Sequence, residues 1–345
     1  AWGTPVLFLR ARDGQLFDWV QSTATPSAVP PPAKADPVPT VGDFIGREAE
    51  LAYYAQELRI HGSVVICGMA GVGKTALATV LAQQWPDPEK VFWHTFYPGD
   101  ELGGVLWPLA GFLYWHQQPE LWKMLQGIQT AGGQPPPTTV MFDYAVQMLR
   151  ARGYLICFDN IHLLNNDPAL RPLVEKLRPR FGAGELAFLA TSQRVPDYFR
   201  PVEPLAGMSM ADAGAFAHAR GISLTQEMTQ ALHRHTQGNA EFLLIALDAL
   251  SNAPDAAELI RHLAKVGDMR AYLLNQLDQL LTDEERDVES AVAVLGAPST
   301  RDIIEVVLDA DNLRRVLHDL TERYLLQVSQ REWIREYGQH AILQD

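Results

Sequence analysis

Three glycines, a lysine and a threonine lie within eight residues, at a spacing that suits the binding of an anion. The stretch that starts at Gly68 matches the pattern G-x-x-x-x-G-K-T in full, with Gly71 inside it and Lys74 and Thr75 at its end. Glycines let backbone N–H groups turn toward an anion, and the helix that follows directs its positive end there. The lysine can neutralise two phosphates, and the threonine hydroxyl can bind Mg²⁺. The predicted phosphate loop consists of Gly68, Ala70, Gly71, Val72, Gly73, Lys74, Thr75 and Ala76.

An acidic residue that could complete a metal site follows a second apolar stretch. Asp159 comes directly after four apolar residues, 155–158, at the end of a predicted strand. A carboxylate there can hold Mg²⁺ through water, beside the Thr75 hydroxyl. Thr75 and Asp159 are therefore the predicted metal residues, and Lys74 and Asp159 are two predicted catalytic residues.

The position after Asp159 bears on the rate of hydrolysis. Many phosphate-loop ATPases place a second carboxylate here to orient the attacking water, but this chain has Asn160. An amide is not a general base, which predicts slow hydrolysis. His162 could act instead, although a histidine near a strand end is more often an ordinary loop residue.

A third apolar stretch ends in the polar residues Thr191, Ser192, Gln193 and Arg194. Ligands bind at the carboxyl edge of such sheets, so Arg194 could contact the γ-phosphate as a third catalytic residue. The alternative is a solvated loop arginine.

The elements that must position these residues alternate between strands and helices. Apolar runs at 63–67, 91–96, 154–158 and 186–190 fit buried strands, with helical segments between them. This alternation predicts an α/β P-loop NTPase with a parallel, doubly wound sheet. After Arg200 only helical segments follow, until a small hairpin near the end, and this order predicts a helical domain and then a winged-helix domain.

Composition divides the chain further. Six prolines lie between 26 and 39, which favours an extended linker. The predicted layout is a remnant of an upstream effector domain at 1–20, a linker at 21–40, the nucleotide-binding domain at 41–203, the helical domain at 204–267 and the winged helix at 268–345. The start at Ala1, with no initiator Met, is expected to be a cut inside a longer protein.

Charge and cysteine content disfavour several classes of partner. The formal net charge is −13 at pH 7, which argues against a general surface for nucleic acid or anionic membranes. No apolar span approaches the roughly 18 residues of a transmembrane helix. Cys67 and Cys157 both lie in apolar runs, which suits a reducing compartment. We therefore expect a cytoplasmic protein that binds neither membranes nor nucleic acid.

Several motifs together resemble the STAND signalling NTPases, and in particular their NB-ARC branch. "GMAGVGKTAL" and "LICFDNIH" are similar to the family's phosphate and metal motifs. "FIGREAEL" is similar to its opening motif, which lies against adenine. That resemblance implies that the adenine is contacted by Phe44, Ile45, Gly46 and Arg47.

The later motifs are looser. "TSQR" is similar to the sensor motif Thr-Ser-Arg with Gln193 inserted, which leaves open whether Gln193 or Arg194 is the sensor. "GNAE", from Gly238, is similar to the helical-domain motif Gly-Asn-Pro-Leu, with Ala240 in place of the proline that touches the base.

Both ends of the chain carry a further resemblance. "WIREYGQ" is similar to a helix that follows the family's nucleotide-sensing histidine, an alignment that places Arg331 at the β-phosphate of ADP. The alternative is a surface arginine on the wing. Residues 1–17 are similar to the closing strand of a CHAT peptidase domain, and the alternative there is a remnant of another effector, such as a TIR domain.

The resemblance implies a regulatory switch that uses ATP or ADP with Mg²⁺. ADP would hold a closed monomer, and ATP would open it into an oligomer that activates a fused effector in defence or cell-death signalling. A repeat sensor domain would lie C-terminal to this chain. The alternatives are an ATP-dependent transcription regulator, disfavoured by the acidic balance, and an AAA+ motor, disfavoured by Asn160.

Overall fold

The computed structural model describes most of the chain from residue 31 onward. The described residues are 31–42, 44–131, 136–149, 152–164, 167–177, 186–252, 281–308, 313–322, 326–331 and 334–339. The predicted remnant at 1–20 lies outside them. The sequence pattern also predicts short helices at 256–265 and 270–281, and of these only residue 281 is described. Contacts divide the chain into Ala1–Pro32 and Ala33–Asp345, and the fold described below belongs to the second unit.

A four-stranded parallel sheet forms the first part of this unit. Its strands are β1 (Ser63–Cys67), β2 (Val91–Thr95), β3 (Tyr154–Asp159) and β4 (Leu186–Ser192). The order across the sheet is β1-β4-β3-β2, and every neighbouring pair is parallel. The helices of this part are α1 (Glu48–His61), α2 (Lys74–Gln83), α3 (Leu106–Trp115), α4 (Glu120–Ala131), α5 (Thr138–Met148) and α6 (Leu170–Leu177).

Both faces of the sheet are covered, which explains why its strands are apolar throughout. Ile156 and Phe158 of β3 pack into one core, while Leu155 and Cys157 pack into the core on the opposite face. A strand buried on both faces needs a continuous apolar run instead of an alternating one. The predicted α/β P-loop fold with a doubly wound sheet is confirmed, and each predicted strand was found within two residues of its predicted bounds.

The second half of the predicted linker lies along this sheet domain. Ala35 and Val38 pack against the two cores, and the side-chain amide of Gln83 donates to the carbonyl of Pro39 at 3.2 Å. Residues 33–40 have no regular secondary structure, as expected for a proline-rich segment.

Helices and a small antiparallel sheet form the rest of the described chain. The helices are α7 (Met210–Ala219), α8 (Gln226–Thr236), α9 (Ala240–Asn252), α10 (Asp283–Leu295), α11 (Arg301–Val307) and α12 (Leu313–Glu322). The strands are β5 (Ser299–Thr300), β6 (Leu326–Arg331) and β7 (Ile334–Gln339), in the order β5-β7-β6. One apolar core joins α7–α9 to α10–α12, so the described parts of the two predicted C-terminal domains pack together.

The helix that the similarity of "WIREYGQ" predicts is wrong for this chain. Residues Ile334–Gln339 form β7, the central strand of the small sheet. It pairs antiparallel with β6, where Val328 lies opposite Tyr337, and with β5, where Thr300 lies opposite Glu336. Ladder hydrogen bonds on both edges outweigh the helical tendency of this short segment. Arg335 and Glu336 therefore lie on a strand and not on a helix.

Candidate nucleotide-binding site

The phosphate loop joins β1 to α2, as the motif predicts. Gly71 and Gly73 have φ values of 72° and 98°, in the left-handed region that L side chains rarely adopt. Gly73 is the N-cap of α2, and no side chain caps this helix end. The first N–H groups of α2 therefore point toward the space enclosed by the loop, where they can meet an anion.

Three consecutive carbonyls of the loop are bound from outside it. The carbonyl of Ala70 accepts from the side-chain amide of Asn239 at 2.8 Å, and that of Gly71 accepts from the backbone N–H of Glu241 at 3.1 Å. The carbonyl of Val72 accepts from the guanidinium of Arg47 at 2.8 Å. The N–H and C=O groups of a planar peptide point in opposite directions. The N–H groups of these three peptides therefore point away from the side chains and backbone that bind the carbonyls.

Lys74 is buried within the loop, with 7% of its surface exposed. Its ammonium donates to the carbonyl of Met69 at 2.9 Å. Burial lowers the pKa of Lys74, and the nearby carboxylates of Asp159 and Glu241 oppose that shift. A phosphate would satisfy this ammonium more fully than a single carbonyl, because both partners would then carry charge.

Asp159 lies at the carboxyl end of β3 between two threonine hydroxyls. The Thr75 hydroxyl lies 3.0 Å from its Oδ1, and the Thr191 hydroxyl donates to the same oxygen. Burial raises the pKa of the Asp159 carboxyl, while hydrogen bonds from Thr191 and Thr75 and the charge of Lys74 oppose the shift. Hard oxygen ligands of this kind suit Mg²⁺. Thr75 and Asp159 could hold the ion, whose charge would neutralise bound phosphates.

The role of Thr191 was missed at the level of sequence. It lies in β4, next to β3 in the sheet, and its hydroxyl also accepts from the backbone N–H of Asn160 at 2.9 Å. The available signal was a polar side chain at the end of an apolar strand, on the edge that carries Asp159.

His162 lies in a short 3-10 turn, Ile161–Leu164, directly beyond Asp159. Burial lowers its pKa to about 4, and the positive charge of Lys74 adds to the shift. Its Nδ1 is buried and has no hydrogen-bond partner among the described residues. His162 is therefore neutral near pH 7, close enough to Lys74 to feel its charge.

The opening motif supports the loop from its outer side. Arg47 has a φ of 65° and is 4% exposed, and it bridges the carbonyls of Val72 and Ala206, at 2.8 and 3.0 Å. Ile45 packs against the core of the helical part, and Phe44 packs against a core of the sheet. These contacts join the two parts of the chain at the loop, while the predicted contacts of 44–47 with adenine remain predictions.

Arg194 and Arg331 are not brought to the loop by any described contact. Arg194 is exposed at the turn after β4, where its backbone N–H donates to the Ser192 hydroxyl at 3.3 Å. Arg331 is the last residue of β6 and lies opposite Ile334, and its side chain is outside the described part of the structure. Their roles as γ-phosphate and ADP sensors remain predictions, as does the choice between Gln193 and Arg194.

Comparison with solved structures agrees with this architecture. A STAND protein with a tetratricopeptide repeat sensor from Pyrococcus horikoshii aligns with a TM-score of 0.64 and 21% sequence identity. The alignment covers 89% of this chain and 42% of that one, so this chain spans less than half of its length. The likeness shows the α/β P-loop fold of such ATPases.

Weaker likenesses are found among other nucleotide-binding proteins. The Orc1 protein of Aeropyrum pernix, solved in complex with DNA, aligns with a TM-score of 0.43 and 17% identity over 88% of this chain and 91% of that one. A Walker-type ATPase of Pyrococcus abyssi gives 0.40 and 13%, over 91% and 97%. No protein-family model and no curated protein matches the sequence.

None of the helices in the described part of the chain combines the length and the apolar character that a bilayer crossing requires.

Proposed function

We propose that this chain is the ATP- or ADP-binding regulatory switch of a STAND signalling protein. The phosphate loop, the Thr75–Asp159 pair and the structural likeness to a STAND ATPase support nucleotide binding. The observation that carries the switch is the set of outer contacts on the loop. Through Asn239 and Glu241 the helical part binds the backbone that would cradle the phosphates, so a change at the phosphates can alter how that part docks.

The finer mechanism is part of the same proposal. ADP with the docked helical part forms a closed monomer, and ATP with Mg²⁺ favours an open, self-associating state that activates an upstream effector. Strands β5–β7 and helices α10–α12 act as the winged-helix domain. Arg331, on the β6–β7 hairpin of this domain, contacts the β-phosphate of ADP. Arg194 reports the γ-phosphate, and a C-terminal repeat sensor and a cytoplasmic location complete the scheme. The missing carboxylate at Asn160 supports slow hydrolysis.

A binding measurement on Lys74→Ala tests the nucleotide site. The variant loses an ammonium that would pair with phosphates, so we expect ATP and ADP affinity to fall by about 2–4 kcal/mol. The fold should survive because alanine suits the start of α2. Calorimetry measures the affinity, and circular dichroism checks that the variant is folded. Unchanged affinity in a folded variant would contradict the assignment of Lys74 to the nucleotide site.

Transcription regulation has less support from the described residues. Arg301 at the start of α11 lies 3.4 and 3.7 Å from the carboxylates of Asp302 and Glu305, which reduces the positive charge of this helix. Val306 on the same helix is 88% exposed. A helix that binds DNA should present net positive charge. DNA affinity that falls steeply with added salt would favour this alternative.

A further inference from the structure

The turn that begins α9 sits on the outer face of the phosphate loop. Asn239 is 2% exposed and Glu241 is 8% exposed, although both are polar. Their hydrogen bonds to Ala70 and Gly71 fix the turn against the loop backbone. Asn239 also closes the turn on itself, because its Oδ1 accepts from the N–H of Glu241 at 3.1 Å. The N–H of Glu241 is therefore shared between the Gly71 carbonyl and the Asn239 side chain, and this holds the residue against the loop.

The carboxylate of Glu241 is in close contact with Gly71. A Cβ atom placed on Gly71 would lie 2.6 Å from Oε2 of Glu241 and 2.8 Å from Oδ1 of Asn239. The carboxylate thus occupies the space that a side chain at Gly71 would fill. Its charge is felt by Lys74, whose pKa it raises against the effect of burial. A negative charge packed against Gly71 is therefore close enough to raise the pKa of Lys74, the lysine that should meet the phosphates.

A buried carboxylate in this place opposes anion binding. Charges a few ångströms apart interact strongly where water is excluded, so Glu241 repels phosphate groups while it attracts Lys74. The repulsion grows with the charge of the ligand, and ATP carries one more negative charge than ADP.

We propose that Glu241 is a specificity-determining residue that weakens nucleotide binding while the α9 turn is docked, and weakens ATP more than ADP. The inference rests on the proposed nucleotide site and adds a coupling between nucleotide affinity and the docking of the α9 turn. When the turn leaves the loop, the carboxylate leaves with it, and affinity for ATP rises. By linkage, bound ATP disfavours the docked turn to the same extent.

The Glu241→Gln variant tests this inference in the full chain. Glutamine keeps the size and the backbone contacts, removes the charge and replaces one accepting oxygen with an NH₂ group. We expect Mg-ATP to bind roughly tenfold more tightly and Mg-ADP about threefold more tightly, measured by calorimetry. Glu227→Gln, at an exposed position of α8, makes the same change in net charge and should leave both affinities unchanged.

The outcomes separate this inference from the proposed function. If the wild type binds nucleotide and Glu241→Gln binds it with equal or weaker affinity, the role of Glu241 is overturned and the nucleotide site stands. Failure of the wild type to bind either nucleotide overturns the nucleotide site and this inference with it. If Glu241→Gln does not fold, Glu241→Met removes the charge with a side chain of similar length and must shift the affinities in the same direction.

Discussion

The hydroxyl of Thr75 lies 3.0 Å from Oδ1 of Asp159, although 84 positions separate the two residues in the sequence. Thr75 lies in the first turn of α2 and Asp159 ends β3, so the contact exists only because β3 lies inside the sheet that supports the loop. Together they form the candidate metal site.

Asp159→Asn should weaken the Mg²⁺ dependence of nucleotide binding. The amide keeps a hydrogen bond to Thr75 but cannot hold the water shell of the ion as a carboxylate does. We expect the gain in ATP affinity on adding Mg²⁺ to shrink by about 10–100-fold, the usual effect of losing an outer partner of a metal. Titrations with Mg²⁺ and with chelator give the comparison. An equal Mg²⁺ gain in both proteins would place the ion elsewhere.

Hydrolysis should be slow, well below the common enzyme median of about 10 s⁻¹. Asn160 adopts a left-handed conformation with a φ of 62°, which aspartate tolerates as well as asparagine. Asn160→Asp supplies the missing carboxylate without backbone strain, so phosphate release should rise by roughly 10²-fold, as for an added general base. Wild-type turnover of many per second would show that another group, such as His162, activates the water.

His162 should make the fold sensitive to acid. Its pKa is about 4 in the folded chain against an ordinary 6.5, so the unfolded chain binds its proton first as pH falls. The stabilising effect of the neutral ring is present above pH 6.5 and is lost as pH falls toward 4.

The size of this effect can be measured by comparison with His162→Gln. Because the side chain is partly exposed, we expect roughly 2–3 kcal/mol of extra loss for the wild type between pH 7 and pH 4. Denaturant unfolding of both proteins across this pH range gives the difference in their free energies of unfolding. The contributions of the carboxylates that both proteins share cancel in this difference. Parallel pH profiles would mean that His162 titrates normally.

Gly238→Ala should disrupt the contact between residues 207–208 and the turn that begins α9. Gly238 has a φ of 69°, and a Cβ there would lie 2.2 Å from the carbonyl oxygen of Met208. This backbone contact includes the hydrogen bond from the N–H of Met208 to the carbonyl of Gly238, at 2.7 Å. We expect a loss of about 2–4 kcal/mol in the free energy of unfolding.

Gly214→Ala is the matched control. Gly214 lies inside α7, and a Cβ there would meet only the Cγ2 of Thr229 at 3.5 Å, an ordinary contact. Alanine favours a helix over glycine by about 0.5–1 kcal/mol, so this variant should be slightly more stable. Similar losses in both variants would contradict a special role for the close backbone contact at Gly238.

Local patterns in the sequence determined much of the fold. The spacing of glycines, Lys74 and Thr75 predicted the loop, because each of these residues acts through its own backbone geometry or side chain. Apolar runs predicted all four parallel strands, since a strand covered on both faces must be apolar along its length. The place of Asp159 at the loop also followed, because parallel strands end at one edge of a sheet.

Only the tertiary structure decided what surrounds the loop and how the hairpin folds. Arg47 reaches Ala206 across 159 positions, and Asn239 reaches Ala70 across 169, and no local pattern encodes such a pairing. The strand β7 carries a sequence similar to a helix, but backbone partners on β5 and β6 fix it as a strand. In each case the deciding energy lies in hydrogen bonds between segments that are remote in sequence, which form only once the chain has folded.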